Sequence, residues 1–481
     1  MADHYPLLTV GAGATDKRLE VTAPYDGALL ATLNTADADA VERALAAAHT
    51  LFRDRSRWLA IEERVEILER AAVIMAESHD TLALQIALEG GKPLVDARVE
   101  VTRAIDGVRI CVETLRGQRG SEIPMHLDAA SARRVAFTRH EPIGVVVAVS
   151  AFNHPLNLIV HQVAPAVATG CPVIVKPAED TPLSCMRFVE ILRQAGLDEA
   201  WCQALTVSDL SVATQLVTDQ RVSFFSFIGS SKVGWMLRSQ LSPGTRCALE
   251  HGGAAPAVVA SDADLDAAVE LLAKGGFYHA GQVCVSVQRV LAERSVARSL
   301  AERLAERSRS LRVGDPTHPD TEVGPLIRHP EVERVDEWVR EAVSGGAEVL
   351  CGAEVLSPST YAPTLLYDPP TDARLSTQEI FGPVVCVTPV GDLGEAFERA
   401  NSLPVAFQAA VFTSNIDTAM RAYERLDASA VMVNDHTAFR VDWMPFAGLR
   451  ESGLGIGGIP HTMHDMQIEK MLVVRSPGLS A

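Results

Sequence analysis

The sequence predicts an α/β protein built on a doubly wound, mostly parallel sheet, followed by a second α/β unit. Three observations carry this expectation. The β-branched runs "GVVVAVS" and "PVIVKPA" read as strands buried on both faces. The apolar "LIVHQVAPAVATG" between them completes a strand–helix–strand unit. The alternation restarts at "CALEHGGAAPAVVASDADLDAAVELLAKGGF" and runs on to "AVFTSN" and "ASAVMVND".

From about Asp37 to Arg116 the pattern is helical: "DADAVERALAAAHTLFRDR" and "ERVEILERAAVIMAES" space their apolar residues three and four apart. "EGGKP" at Glu89–Pro93 stops one helix and opens the next. "RRVAFTRHEP" (Arg133–Pro142) then alternates like an exposed strand. The segments "RFVEILRQAG", "VSFFSFIGS" and "SKVGWMLRSQL" extend the first sheet with strands and helices. Near the end, "KMLVVRSP" is a strand with no local partner. With Arg133–Arg139 it is expected to form a small sheet completed across a subunit interface.

A length of 481 residues, with 47% hydrophobic and 22% charged residues, suits two or three soluble domains. A net charge of −18 argues against nucleic acid and anionic membrane surfaces as partners. No basic, apolar leader opens the sequence, and no run nears the roughly 18 apolar residues of a membrane span. Eight scattered cysteines without a CxxC point to reduced thiols in a cytoplasmic protein, with neither disulfides nor a metal site.

Several short stretches carry candidate chemistry. "GAG" at Gly11–Gly13 lacks the strand–turn–helix context of a dinucleotide loop and reads as a turn. In "FSFIGSSKVG" a strand ends at Ile228, Gly229 and Ser230 turn, and a helix opens with Gly234 near enough for tight packing; its first N–H groups suit a pyrophosphate. "PVIVKPAEDTP" brings Lys176 and Glu179 to a strand's carboxyl end, where such sheets bind ligands. "SAFNHPLN" places Asn153 at another strand end, "LEHGG" places Glu250 before two glycines, and "QEIFGPVV" places Glu379 before a Phe-Gly-Pro turn. "GFYHAGQVCVSVQRV" sets Cys284 behind a small, polar run; Gly281 and Gln282 are expected to clear space for ligands. Taken singly, each has an ordinary structural reading.

Together and in this order, these stretches resemble the aldehyde dehydrogenase superfamily over nearly the whole chain, with "PFAGLRESGLG" as a further landmark. The resemblance implies a Rossmann-type cofactor domain (residues 1–119 and 142–249), an α/β catalytic domain (250–449) and a small β oligomerisation element (120–141 and 450–481), assembled as a homodimer or homotetramer. It implies oxidation of a small-molecule aldehyde to the acid with NAD, or with NADP. Cys284 would be the nucleophile, the Asn153 amide and the Cys284 N–H would hold the oxyanion, and Glu250 would activate the hydrolytic water. Retention of Glu250 favours release of the free acid over transfer to another thiol. Lys176 is carried over to the catalytic and the cofactor set alike. It joins Glu179 at the adenosine ribose, where a carboxylate repels a 2′-phosphate and so favours NAD. Gly229, Ser230, Val233 and Gly234 would face the pyrophosphate, Glu379 the nicotinamide ribose, and Phe381 would pack nearby.

The chain departs from the common pattern where the substrate would sit. His154 and Asn157 follow Asn153, with His161 one helical turn on, giving a polar tunnel. Arg440 and Trp443 precede "PFAG", and Arg103 lies on a helix that borders the tunnel in relatives. Arg440, supported by Arg103 and His154, is expected to hold an anionic tail, as of succinate semialdehyde. "YHAGQVCVS" and "RVDWMPF" also resemble a branch with phosphonoacetaldehyde dehydrogenases, but Val283 stands where the phosphonate enzymes carry arginine. Lactaldehyde, a broad aldehyde range, and a non-catalytic protein on the same fold complete the alternatives. His251 is expected to be a packed, hydrogen-bonded histidine.

Overall fold

The computed structural model describes residues 3–11 and 17–479. Gly11 sits in a turn with φ of +62°, while Gly13, the end of the expected "GAG" turn, lies outside the described residues.

The first sheet grows from the β-branched runs. Strands β1 (Val145–Val149), β2 (Val173–Lys176), β3 (Cys202–Ala204), β4 (Val222–Ile228) and β5 (Arg246–Glu250) lie parallel in the order β3-β2-β1-β4-β5. Helices cover both faces, which is why β1 and β2 can be almost wholly Val and Ile. Helix α1 (Asn157–Thr169) crosses from β1 to β2 with every residue buried, and Gly170 ends it in the left-handed region. The strand order reverses between β1 and β4, opening a crevice beyond their carboxyl ends. Residues 150–153 follow β1 into that crevice. Gly229 and Ser230 follow β4 and lead into helix α2 (Ser231–Arg238).

The second sheet contains β6 (Ala255–Val259), β7 (Val287–Glu293), β8 (Glu348–Cys351), β9 (Thr364–Tyr367), β10 (Val384–Val390), β11 (Gln408–Phe412) and β12 (Ala430–Val433). Their order is β8-β9-β10-β7-β6-β11-β12, and only β8 runs antiparallel. Helix α3 (Leu265–Phe277) follows β6, and the Asp264 carboxylate caps it by accepting from the N–H groups of Asp266 and Ala267. The chain then makes the turn Tyr278–Gly281, in which His279, Ala280 and Gly281 are all left-handed, at φ of +48°, +55° and +71°. Such a run is strained for the two non-glycine residues and aims the next segment, with Cys284, back toward the first sheet.

The terminal strand Gln467–Arg475 and the stretch near Arg133–Arg139 share a small sheet, as expected: Gln467–Arg475 pairs antiparallel along its whole length with Arg134–Pro142, which also pairs with Glu122–Ile123. Gln467–Arg475 is the edge strand of that sheet. The N-terminal region holds a three-stranded sheet of Asp3–Tyr5, Arg18–Thr22 and Leu29–Asn34. Among the described residues no helix is long and apolar enough to cross a membrane.

A buried ion pair fixes the turn after β1. Lys92 and Glu100 are in contact, and neither side chain has any exposure. Glu100 Oε1 also accepts from the backbone N–H groups of Leu156 (2.9 Å) and Asn157 (3.1 Å), holding the start of α1 in place. Burial pushes the Glu100 carboxyl up, but the Lys92 ammonium beside it brings it below the usual carboxylate range. Lys92→Met would strand that charge, so it is expected to cost about 3–5 kcal/mol in urea unfolding. A change below about 1 kcal/mol would contradict a structural role for the pair.

Candidate active site

A cavity of about 590 Å³ spans the crevice at β1 and β4 and extends to the Cys284 loop. Asn153, Glu250 and Cys284 line one part of it, with Arg103, His154 and Asn157 around them. Gly229, Ser230, Val233 and Glu179 line another part, and Glu379, Phe381 and Arg440 complete the wall.

Asn153 is buried, and its Nδ2 donates to the Gln282 carbonyl at 2.9 Å. One amide hydrogen is thereby committed and the other remains for a ligand. Gln282 does not clear space, contrary to expectation. Its side chain donates to the carbonyls of His279 (3.3 Å) and Pro325 (3.2 Å) and accepts from Ile327 N–H (3.0 Å), tying its own turn to the Pro325–Ile327 loop. Gly281 serves backbone contact: a Cβ there would stand 2.1 Å from the Gly382 carbonyl oxygen. The two residues before Val283 therefore build the loop rather than the ligand space.

Cys284 is partly exposed. Burial pushes its thiol up to about 12; Arg440 opposes this, while Glu250 and Glu379 add to it. Glu250 ends β5, and burial also raises its carboxyl, against Arg440 Nη1 4.0 Å away. Glu379 is pushed up to about 8 by burial, although its Oε1 accepts from Gly253 N–H at 3.2 Å. Gly252 makes that approach possible, since a Cβ would fall 1.8 Å from Oε1. Phe381, at φ of +45°, meets Phe152 edge-on with centroids 5.8 Å apart.

Arg440 is nine-tenths buried. Its guanidinium lies 3.6 Å above the Phe446 ring, and Nη2 donates to His161 Nδ1 at 3.3 Å. Its Nε is buried and, among the described residues, has no partner. Because arginine only donates, His161 Nδ1 must accept, so His161 carries its proton on Nε2 and gives it to Asp442 Oδ1 at 2.7 Å. Asp442 also takes Arg103 Nη2 (2.7 Å) and Nε (3.1 Å) and Asn157 Nδ2 (3.2 Å). Burial pushes Asp442 up, but His161 and Arg103 hold it far below the usual carboxylate range.

This arrangement changes three expectations. Arg103 borders the cavity, but its fork is already engaged by Asp442, so it anchors that carboxylate. Asn157 is likewise committed to Asp442. Trp443 does not reach the cavity and is 59% exposed. The turn closed by Met444 N–H on the Val441 carbonyl sends Asp442 inward and its neighbour outward.

His154 does face the cavity. Lys92 Nζ donates to its Nδ1 at 2.7 Å, which places the imidazole proton on Nε2, the nitrogen free to meet a ligand. Burial, then Lys92, lowers His154 to about 4, so it stays an uncharged donor near neutrality. Asp442 and Lys92 were missed as site residues. "RVDWMPF" was read for its arginine and tryptophan, and "EGGKP" only as a helix boundary.

The cofactor end is less direct. Lys176 ends β2 beside the cavity without lining it; its Nζ donates to its neighbour's carbonyl at 3.2 Å and lies 3.9 Å from Glu179. Gly234 sits beneath the wall, where a Cβ would meet the His251 ring at 2.0 Å. His251 is packed between Phe227 and Trp235, with Nδ1 against the Gly229 carbonyl at 2.9 Å. Helix α2 starts without a side-chain cap, so its first N–H groups are available to an anion at the Gly229–Ser230 turn. With the Glu379 carboxylate and the Phe381 ring, this donor set fits a nicotinamide dinucleotide. Among the described residues no His, Cys, Asp or Glu cluster could hold a metal ion.

A sequence profile of the aldehyde dehydrogenase family matches residues 12–472. A 3-sulfolactaldehyde dehydrogenase of Priestia aryabhattai is 34% identical over 460 residues, covering 96% of this chain and 95% of the relative. A lactaldehyde dehydrogenase of Methanocaldococcus jannaschii is 33% identical over 460 residues, covering 95% and 97%. The crystal structure of aldehyde dehydrogenase 21 from Physcomitrella patens, in complex with the reaction product succinate, superposes with a TM-score of 0.94 at 32% identity, covering 99% of both chains.

With a thiol near 12, alkylation of Cys284 by iodoacetamide should still climb about tenfold per pH unit at pH 10. An ordinary thiol, at about 8.5, levels off before that. Peptide mapping after timed labelling checks this; a plateau below pH 9 would contradict it. Arg440→Leu removes the opposing charge and should slow labelling further.

Proposed function

The chain belongs to the aldehyde dehydrogenase family, and from that premise we propose that it oxidises a short aldehyde bearing an acid group, such as succinate semialdehyde, to the carboxylic acid with NAD(P). The observation that carries the substrate reading is Arg440, a guanidinium on the cavity wall beside Cys284 and Glu250 that no carboxylate among the described residues approaches closer than 4.0 Å. A mostly buried cation without a close counter-ion is costly unless an anion completes it. Val283, apolar and on the same wall, offers no second cation, which weighs against a phosphonate.

The chain's own groups supply the acyl chemistry. The Cys284 thiolate adds to the aldehyde carbon, a C–S bond forms, and the carbonyl π pair moves to oxygen. The free hydrogen on Asn153 Nδ2 and the Cys284 N–H hold that oxyanion, each donor worth about 3 kcal/mol in such sites. When bound, the nicotinamide supplies the two-electron acceptor for the aldehyde hydrogen, leaving a thioester on Cys284. Glu250 then takes a proton from water as the water oxygen attacks the thioester; the C–S bond breaks, and acid and thiol are released. Glu250 suits this role because burial raises its carboxyl toward neutrality. Lys176 and Glu179 at β2, with Ser230 and Val233, would hold the adenosine and pyrophosphate, and the Glu179 carboxylate favours NAD over NADP. Glu379 would hold the other ribose.

A 2-hydroxy aldehyde such as lactaldehyde is a second reading, favoured by His154 Nε2–H, an uncharged donor suited to a hydroxyl oxygen. The two readings meet in a substrate with both groups. Arg440→Ala should lower kcat/KM for succinate semialdehyde about 100-fold, chiefly through KM, and for propanal less than about fivefold. Equal losses on both aldehydes would defeat the acid-group reading.

Two unpaired sheet edges support a homo-oligomer. Gln467–Arg475 is an edge strand with Met471, Leu472, Val473 and Val474 exposed, and β12 is the edge of the second sheet. A second copy can cover both symmetrically. Sedimentation at micromolar concentration should give a dimer or tetramer, and Met471→Asp with Val473→Asp should shift it to monomer. A wild-type monomer would refute this.

A further inference from the structure

Glu250 has a second face. Behind the main cavity lies a small, largely enclosed chamber of about 10 Å³, with Glu250, His161, Gln162, Ser226, Thr462 and Asp465 on its polar side and Phe224 and Phe227 on its apolar side. That is room for about one water molecule, and the polar side offers it partners. Gln162 supplies an independent sign. Its Nε2 donates to the Val149 carbonyl and to both Ser226 oxygens, while its Oε1, fully buried, has no partner among the described residues. Gly457 closes the other side, where a Cβ would lie 2.2 Å from Glu250 Oε1. Asp465 also borders an open groove next to Arg246 and Thr245. Glu250 thus touches the reaction cavity on one side and, through one chamber and one carboxylate, the outside on the other.

We propose that this chamber holds a single water and that Glu250, the chamber water and Asp465 form a proton exit from the active site. The inference rests on Glu250 acting as base toward a Cys284 thioester. Glu250 takes a proton from the hydrolytic water in the main cavity and gives it to the chamber water. That water passes one of its own protons to Asp465, which releases it into the groove, so every group ends as it began. The route matters because substrate and cofactor fill the main cavity and shut the front of Glu250 from bulk water. Burial raises the Asp465 carboxyl, opposed by His464, Arg246 and His461; burial raises Glu250 as well. Two carboxyls shifted the same way exchange a proton with little uphill cost.

The test uses NAD-saturated enzyme acylated with p-nitrophenyl acetate, following acetyl-Cys284 by mass spectrometry. Formation of acetyl-Cys284 in the wild type tests the catalytic assignment by itself; its absence would fail that assignment and the exit with it. Asp465→Asn should acylate at the wild-type rate and lose the acetyl group about tenfold more slowly, with imidazole buffer restoring the rate. Thr462→Val, which makes the chamber wall less polar at a residue that does not line the groove, should slow the same step. Wild-type deacylation in both variants overturns the exit, and so does a slow Asp465→Asn enzyme that imidazole leaves slow.

Discussion

The hydrogen bond nearest the nucleophile ties the two halves of the site together: Asn153, just beyond the end of β1 in the first sheet, donates to the carbonyl of Gln282, two residues before Cys284. Its 2.9 Å length fixes the proposed oxyanion donor relative to the proposed nucleophile, although the two come from different sheets. The bond is only as good as the position of the Gln282 carbonyl. That position is held by the three hydrogen bonds of the Gln282 side chain. These bonds also hold the left-handed His279–Ala280 pair, a conformation that costs about 1–3 kcal/mol per residue when unsupported. Strain in the turn and rigidity in the loop are two aspects of one device.

The same logic orders the charges. Arg103, Arg440 and Lys92 all lie near the cavity, yet the structure treats them differently. Lys92 is neutralised by Glu100, and Arg103 by Asp442, each within hydrogen-bond contact. Arg440 reaches Asp442 only through His161, and its nearest carboxylate, Glu250, stands off at 4.0 Å. Two cations are thus used as scaffold and one is left under-satisfied. That asymmetry, rather than the mere count of arginines, separates a ligand site from a structural ion pair.

Much of this was legible in the sequence. The β-branched runs of β1 and β2 and the acidic cap of α3 are local signals, so strand, helix and order followed from them. Asn153, Glu250 and Cys284 were legible as strand-end and post-turn residues, and the structure brings all three to one cavity. What stayed hidden is what long-range packing decides. Asp442 looked like one more charge in a polar stretch, because its four donors come from Arg103, Asn157 and His161. Trp443 looked like a tunnel residue because the Val441–Met444 turn reverses direction without leaving a periodic trace.

The resting state of the thiol follows from this charge arrangement. Cys284 faces Glu250 and Glu379 on one hand and Arg440 on the other, in a site where burial already favours the neutral form. Without a ligand the balance keeps the sulfur protonated and weakly nucleophilic, which protects a partly exposed cysteine from oxidation. Turnover therefore requires that ligand binding change the field. An acid tail on Arg440 works in the wrong direction, since it cancels the one nearby positive charge. The compensating positive charge has to arrive at the Glu379 end, where the dinucleotide fits. The geometry accordingly favours an order in which the dinucleotide binds first and the aldehyde second, with the thiol activated only once both ends of the cavity are filled.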